Sequence, residues 1–329
     1  MMKSRKWLSV LLSAAMAGAL MTGCGSSSAS TSSAGSSAAS SSTSGTASSS
    51  ASATESASAE ASSEAASSSA SSDTETVAAV SSTSSGSAKG ALKGVKLSFA
   101  TTALFAPFTY YDTDGTTVIG FDIDFEKALQ DYLGFEIDGD TQVMDYSAIA
   151  TSLAQGQVDF GMAALCATDE RKEVMNFSNT YCDSGQVVMI NKETSPSEIT
   201  DIDTLVSGDY TIAVEKGTCS HMYCTNNGVP ADRLQVHDTI TTAYESLEQG
   251  KVDAVIQDGP NANYYVENTP DTKLEVVGDE FNQGQAPYAI AISKEACERV
   301  PGLQEDFNKA IQALIDDGTF DELKAKWLD

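Results

Sequence analysis

Two eight-residue segments of this chain are near copies of each other. Ser152-Leu153-Ala154-Gln155-Gly156-Gln157-Val158-Asp159 and Ser246-Leu247-Glu248-Gln249-Gly250-Lys251-Val252-Asp253 stand 94 positions apart and agree at six of eight. Each has the form of the last turn of a helix, a glycine suited to a left-handed C-cap, and the start of a short apolar strand, over 158–163 and 252–256. A chain that repeats this junction is expected to contain two similar α/β units. In open α/β sheets ligands bind beyond the carboxyl ends of the strands, so 164–171 and 257–261 are the expected cleft walls.

The flanking segments fit that plan. Residues 96–100 alternate as a strand does, and the stretch from Phe121 sets Phe121, Phe125, Ala128, Leu129 and Tyr132 on one helical face, with Asp122 or Asp124 as the expected N-cap. Residues 210–214 form the matching strand of the second unit and run into the turn Glu215-Lys216-Gly217-Thr218. Pro301 is expected at the first helical position ahead of Leu303, Phe307, Ala310, Ile311 and Leu314, and a last helix over about 320–327 closes the chain. The strands 186–190 and 288–292 flank the second unit and are where the chain is expected to cross between the two. The predicted fold is α/β and two-lobed with a hinge: lobe one over 91–185 plus 288–329, lobe two over 188–285.

The N-terminus reads as an address. Lys3, Arg5 and Lys6 precede an apolar run from Trp7 to Met21, too short to span a bilayer comfortably, so 1–23 is expected to be a signal peptide. The run ends in Leu20-Met21-Thr22-Gly23-Cys24, which resembles a bacterial lipobox and makes Cys24 the expected lipidation site. Of the 64 residues from Gly25 to Ala88, 30 are Ser and 16 are Ala, with no aromatic, so 24–90 is expected to be a disordered linker. A random coil of that length reaches roughly 40–50 Å. Without residues 1–23 the chain carries 16 Lys+Arg against 46 Asp+Glu, a net charge of −30 that argues against nucleic-acid partners.

From about Gly94 onward a series of motifs occurs in a telling order: Ala106-Pro107-Phe108, Gly120-Phe121-Asp122-Ile123-Asp124, Thr168-Asp169-Glu170-Arg171, Tyr181-Cys182-Asp183-Ser184-Gly185-Gln186, Gly217-Thr218, Val252-Asp253-Ala254 leading to Asp258, and Gly318-Thr319-Phe320. Together they resemble the solute-binding proteins of polar-amino-acid ABC importers, extracellular family 3. That resemblance implies a type II periplasmic-binding-protein fold, capture of a free amino acid by hinge closure, and delivery to a membrane permease with its cytosolic ATPase.

Taken alone, Arg171 reads as an exposed side chain in a first helical turn beside Lys172. The resemblance makes it the ligand-carboxylate site, where a planar guanidinium donates two parallel charge-assisted bonds. Asp258, otherwise a turn residue before Gly259, becomes the partner of the α-ammonium group. Phe105 and Tyr146 are implied as aromatic walls, or else are ordinary core. The backbone of Ala164 and Cys166 and the loop containing Thr218, Cys219 and Ser220 are implied to supply further bonds, Gly217 allowing close approach. Cys166 and Cys219 stand where the family usually has hydroxyl residues, and a thiol is a weaker donor. Thr102 stands where some basic-amino-acid binders carry an acid, which favours a neutral, polar or sulfur-containing ligand such as cystine.

Five thiols remain besides Cys24, an odd number in an exported chain: Cys166, Cys182, Cys219, Cys224 and Cys297. Cys219 and Cys224 could close a short loop, and Cys166 and Cys219 could approach across a closed cleft. Cys219-Ser220-His221 with Cys224 is a faint metal signal, and neither metal nor cofactor is expected. The chain is expected to be a monomer tethered to the outer face of the bacterial cytoplasmic membrane. An enzyme of the same fold, dehydratase-like or glycan-cleaving, or a ligand-sensing surface lipoprotein are the alternatives. Asp112, Asp145 and Asp258 are the carboxylates such chemistry would draw on.

Overall fold

The computed structural model describes residues 87–285 and 287–328. The expected signal peptide, the expected lipidation site Cys24 and the expected linker up to residue 86 lie outside the described residues. The folded part begins earlier than expected: Ala88 is buried in the core, and the Gly90 and Leu92 amides donate to the Tyr132 and Leu133 carbonyls.

Two five-stranded sheets organise the chain, and they are built alike. The first runs Gln142–Val143, Phe99–Thr101, Phe160–Gly161, Tyr288–Ile292, Asn176–Cys182, and the second Leu234–His237, Ile212–Glu215, Ala254–Asp258, Gln186–Asn191, Leu274–Phe281. In each, the first two pairings are parallel and the last two antiparallel. All six residues of Gln186–Asn191 are buried, as expected for a central strand covered on both faces by helices.

The sequence repeat explains the symmetry. The helices Tyr146–Ala154 and Ile240–Glu248 both end before a glycine at positive φ, Gly156 at 66° and Gly250 at 63°. The strands then start at Phe160 and Ala254, two residues later than expected, because each repeat's aspartate clamps its neighbouring strand instead of pairing. Asp159 Oδ2 accepts from the Ser98 amide at 2.8 Å, and Asp253 Oδ2 accepts from the Thr211 amide at 2.7 Å. Each aspartate's own amide donates back to the hydroxyl of the same partner.

Three local expectations are corrected. Neither Asp122 nor Asp124 caps the helix Phe121–Leu133: Gly120 stands there at φ 131°, where a Cβ would lie 2.2 Å from the Phe108 carbonyl oxygen. Asp124 instead accepts from Lys326 and from Trp327 Nε1. The helix Leu303–Asp316 starts after Gly302 at φ 88°, not at Pro301. The chain crosses between the lobes just before each expected strand, between Cys182 and Gln186 and between Phe281 and Tyr288, since both strands are fully absorbed into sheets.

The first lobe's core is aromatic, with Phe99 stacked on Phe160 at 4.9 Å and Phe307 closing on Phe160 at 5.4 Å. Each such ring contributes about 1.5–3 kcal/mol by burial. Among the described residues no helix is long and apolar enough to cross a membrane.

Candidate functional site

The parallel strands of both sheets aim their carboxyl ends at the junction between lobes, and the two expected charged residues meet there. Arg171 belongs to the one-turn helix Asp169–Lys172, capped by Thr168, whose hydroxyl accepts the Arg171 amide at 3.3 Å. Only 7% of Arg171 is exposed. Its Nη1 donates to the Cys166 carbonyl at 2.9 Å and to the Tyr146 hydroxyl at 3.1 Å, and its Nη2 donates to the Gly217 carbonyl of the other lobe at 2.7 Å. These bonds use three of the five N–H donors a guanidinium owns. The remainder suits a carboxylate.

Asp258 ends the strand Ala254–Asp258 and is 4% exposed. Its Oδ1 accepts from Gln186 Nε2 at 3.0 Å and its Oδ2 from the Tyr288 hydroxyl at 2.8 Å. Burial raises its pKa, while these two donors and the Arg171 charge draw it back. Among the described residues neither Arg171 nor Asp258 makes an ion pair. Two opposite charges, one from each lobe, thus lie buried and within each other's field without touching.

The surrounding residues fall into place unevenly. Tyr146 opens the helix Tyr146–Ala154, with the Arg171 guanidinium 5.3 Å from its ring centre. Phe105 is buried in the first lobe's core, tilted against Phe108. Ala164 holds φ 50°, and its amide donates to Asp122 Oδ2 at 2.8 Å. Thr218 caps the helix Cys219–Asn226: its hydroxyl accepts from the His221 amide at 3.2 Å and donates to the Glu215 carbonyl at 2.8 Å. The Ser220 hydroxyl is buried and, among the described residues, has no partner.

The five thiols among the described residues are free. Cys219 and Cys224 lie on one helix rather than closing a loop. Cys166 and Cys219 share one apolar cluster across the lobe boundary, and the neighbouring Cys166 thiol, then burial, raises the Cys219 pKa far above the thiol range. Among the described residues no His, Cys, Asp and Glu group is placed to hold a metal.

Sequence reasoning missed several neighbours of the site. Gln186, a motif and strand residue, and Tyr288, a strand residue, carried no expected role in the site. Asp122 was read as a cap, although on the helical wheel it falls between Leu129 and Leu133 on the apolar face. It accepts from the Tyr181 hydroxyl at 2.8 Å as well as from Ala164, and burial pushes its carboxyl up to about 7 against those donors. Glu215, read only as a turn residue, is 4% exposed, and burial, then Asp258, pushes it up to about 8. Asn261 reaches across the cleft, its Nδ2 donating to the Ala106 carbonyl at 2.6 Å.

Residues 97–329 match the family model for bacterial extracellular solute-binding proteins, family 3. The arginine-binding extracellular protein ArtP of Bacillus subtilis (strain 168) is 27% identical over 232 residues, which cover 70% of this chain and 86% of ArtP. An ancestral arginine-binding protein solved bound to glutamine is 31% identical with a TM-score of 0.63, covering 70% of this chain and 97% of that one. AncCDT-1, an ancestral amino acid-binding protein and precursor of cyclohexadienyl dehydratase, is 28% identical with a TM-score of 0.61, covering 71% of this chain and 96% of that one.

Proposed function

This chain belongs to the bacterial extracellular solute-binding proteins, family 3, and from that premise we propose that it holds one free amino acid between its lobes and hands it to an ABC importer. The observation that carries this is the split pair of buried charges. Arg171 receives the α-carboxylate through its two uncommitted N–H groups, and Asp258 receives the α-ammonium group. A zwitterion completes both at once. Tyr146 and Phe105 wall the ligand, while Ala164, Cys166, Thr218, Cys219 and Ser220 frame its polar end.

Lobe one, 91–185 with 288–329, and lobe two, 188–285, close about the two crossings on either side of the second sheet. The closed form is what a permease recognises, so binding and release are one equilibrium. Micromolar affinity, about −8 kcal/mol, is within reach of two charged contacts and a buried side chain. The ligand leaves unchanged: the chain is a binder, not an enzyme. Cys24 carries the lipid that holds this monomer at the outer face of the cytoplasmic membrane, and replacing Cys24 with Ala releases it from membranes if that reading holds. Retention would count against the anchor.

Thermal unfolding of the full chain with each of the twenty amino acids and cystine tests the central reading. A ligand at 100 times its Kd adds about 2.7 kcal/mol, which raises the midpoint by several degrees. A flat panel on folded, ligand-free protein would reject it.

A further inference from the structure

Glu215 is a buried acid for which the amino-acid reading has so far found no use. It ends the strand Ile212–Glu215, at the carboxyl edge that faces the cleft. Ala213 pairs with Val255 in the parallel register, so two residues further on Glu215 stands beside Gln257. Ala213 and Val255 share one apolar cluster with Tyr244, and strand alternation therefore turns Glu215 and Gln257 to that same face, under the start of the helix Ile240–Glu248.

One acceptor at this corner has no donor. Gln257 Nε2 donates to Asn261 Oδ1 at 3.0 Å, and Tyr244 donates to the same oxygen at 2.8 Å. Gln257 Oε1, fully buried, has no partner among the described residues. Glu215 makes no ion pair among them, and the charges that act on it, Asp258 and Asp145, are also acidic. The Ile240 amide is the donor that faces it. His237, opposite Glu215 in the register, has its pKa lowered by burial and remains neutral at pH 7. Asn261, through its bond to the Ala106 carbonyl, brings this corner against lobe one beside Phe105.

Arg171 answers the α-carboxylate and Asp258 the α-ammonium group, and Asp122 is taken up by Ala164 and Tyr181, which leaves Glu215 without a role. A cationic side chain would hold this carboxyl ionised and paired, whereas beside a neutral ligand burial keeps it protonated. Thr102 offers no acid, but the opposite lobe does.

Resting on the amino-acid reading above, we propose that Glu215 and Gln257 form a side-chain subsite that selects an amino acid with a cationic side chain, a guanidinium or alkylammonium group.

L-Arginine and L-citrulline make the sharpest probes, because they match in shape and differ in side-chain charge. Calorimetric titration of the full chain should give at least about tenfold tighter binding of arginine, or of lysine or ornithine, than of citrulline and glutamine. Glu215→Gln, shown folded by circular dichroism, should bring arginine and citrulline to within a few fold of each other. Citrulline or another neutral amino acid binding as well as the best cationic one to the unaltered protein would overturn the subsite, without needing any variant to fold. So would an unchanged preference in Glu215→Gln. Either of those results leaves amino-acid binding standing, whereas no response to any amino acid rejects that reading as well.

Discussion

Arg171 Nη2 donates to the Gly217 carbonyl at 2.7 Å, so one side chain joins the helix that positions it in lobe one to the glycine turn of lobe two. The same guanidinium is the carboxylate site proposed above, which couples ligand capture to lobe contact. Arg171→Ala should weaken amino-acid binding by more than about 100-fold, the equivalent of two lost charged hydrogen bonds. Arg171→Lys should rescue little of it, because an ammonium group has no planar fork. Titration calorimetry decides, and a variant that binds like the parent would remove the central claim.

Asp122 holds Ala164 in place. With the carboxylate gone, the Ala164 amide and the Tyr181 hydroxyl lose their buried partner, and a non-glycine residue at φ 50° loses its anchor. Asp122→Ala should cost about 2–4 kcal/mol in denaturant unfolding and should also reduce ligand affinity. A loss under about 0.5 kcal/mol would show that Ala164 needs no anchor.

The ligand-free protein should lose stability as pH rises. Burial lifts Asp122 and Glu126 to about 7 and Glu215 to about 8, all above their unfolded values. Between about pH 4 and 8 the folded state therefore binds more protons than the unfolded one, and unfolding free energy falls across that window. The midpoint should be higher at pH 5 than at pH 8. Glu126 Oε1 has no hydrogen-bond partner among the described residues, so Glu126→Gln should recover about 1–3 kcal/mol at pH 8 and little at pH 4. A midpoint that rises from pH 5 to 8 would contradict this.

Thiol reactivity reports lobe opening. In a Cys24→Ala chain, half-buried Cys297 should react first with an aromatic disulfide reagent. Cys182 should follow more slowly, since burial and then Asp122 push its thiol up to about 12. Cys166 and Cys219 lie between the lobes and should react only as the cleft opens, so a bound amino acid should slow them further. Equal rates for Cys219 and Cys297 would rule out a closed cleft in solution.

The repeat made the architecture legible. Its helix end, left-handed glycine and strand are local events set by neighbours in the chain, and their recurrence implied two similar units, which the two sheets bear out. What its aspartate does was not legible, because Asp159 and Asp253 act on Ser98 and Thr211, residues distant in the chain.

The same division runs through the site. Arg171 and Asp258 carry charges that a resemblance in motif order can single out. Gln257 fell in an expected cleft wall, but Glu215 and Asp122 looked like a turn residue and a helix cap, because burial is a property of the assembled layers and is absent from any short window. The sequence by itself determined the elements, their pairing into units and the two charges that suit an amino acid. The tertiary structure alone decided which further carboxylates lie out of water, since desolvation depends on what packs over a side chain and not on its neighbours in the chain.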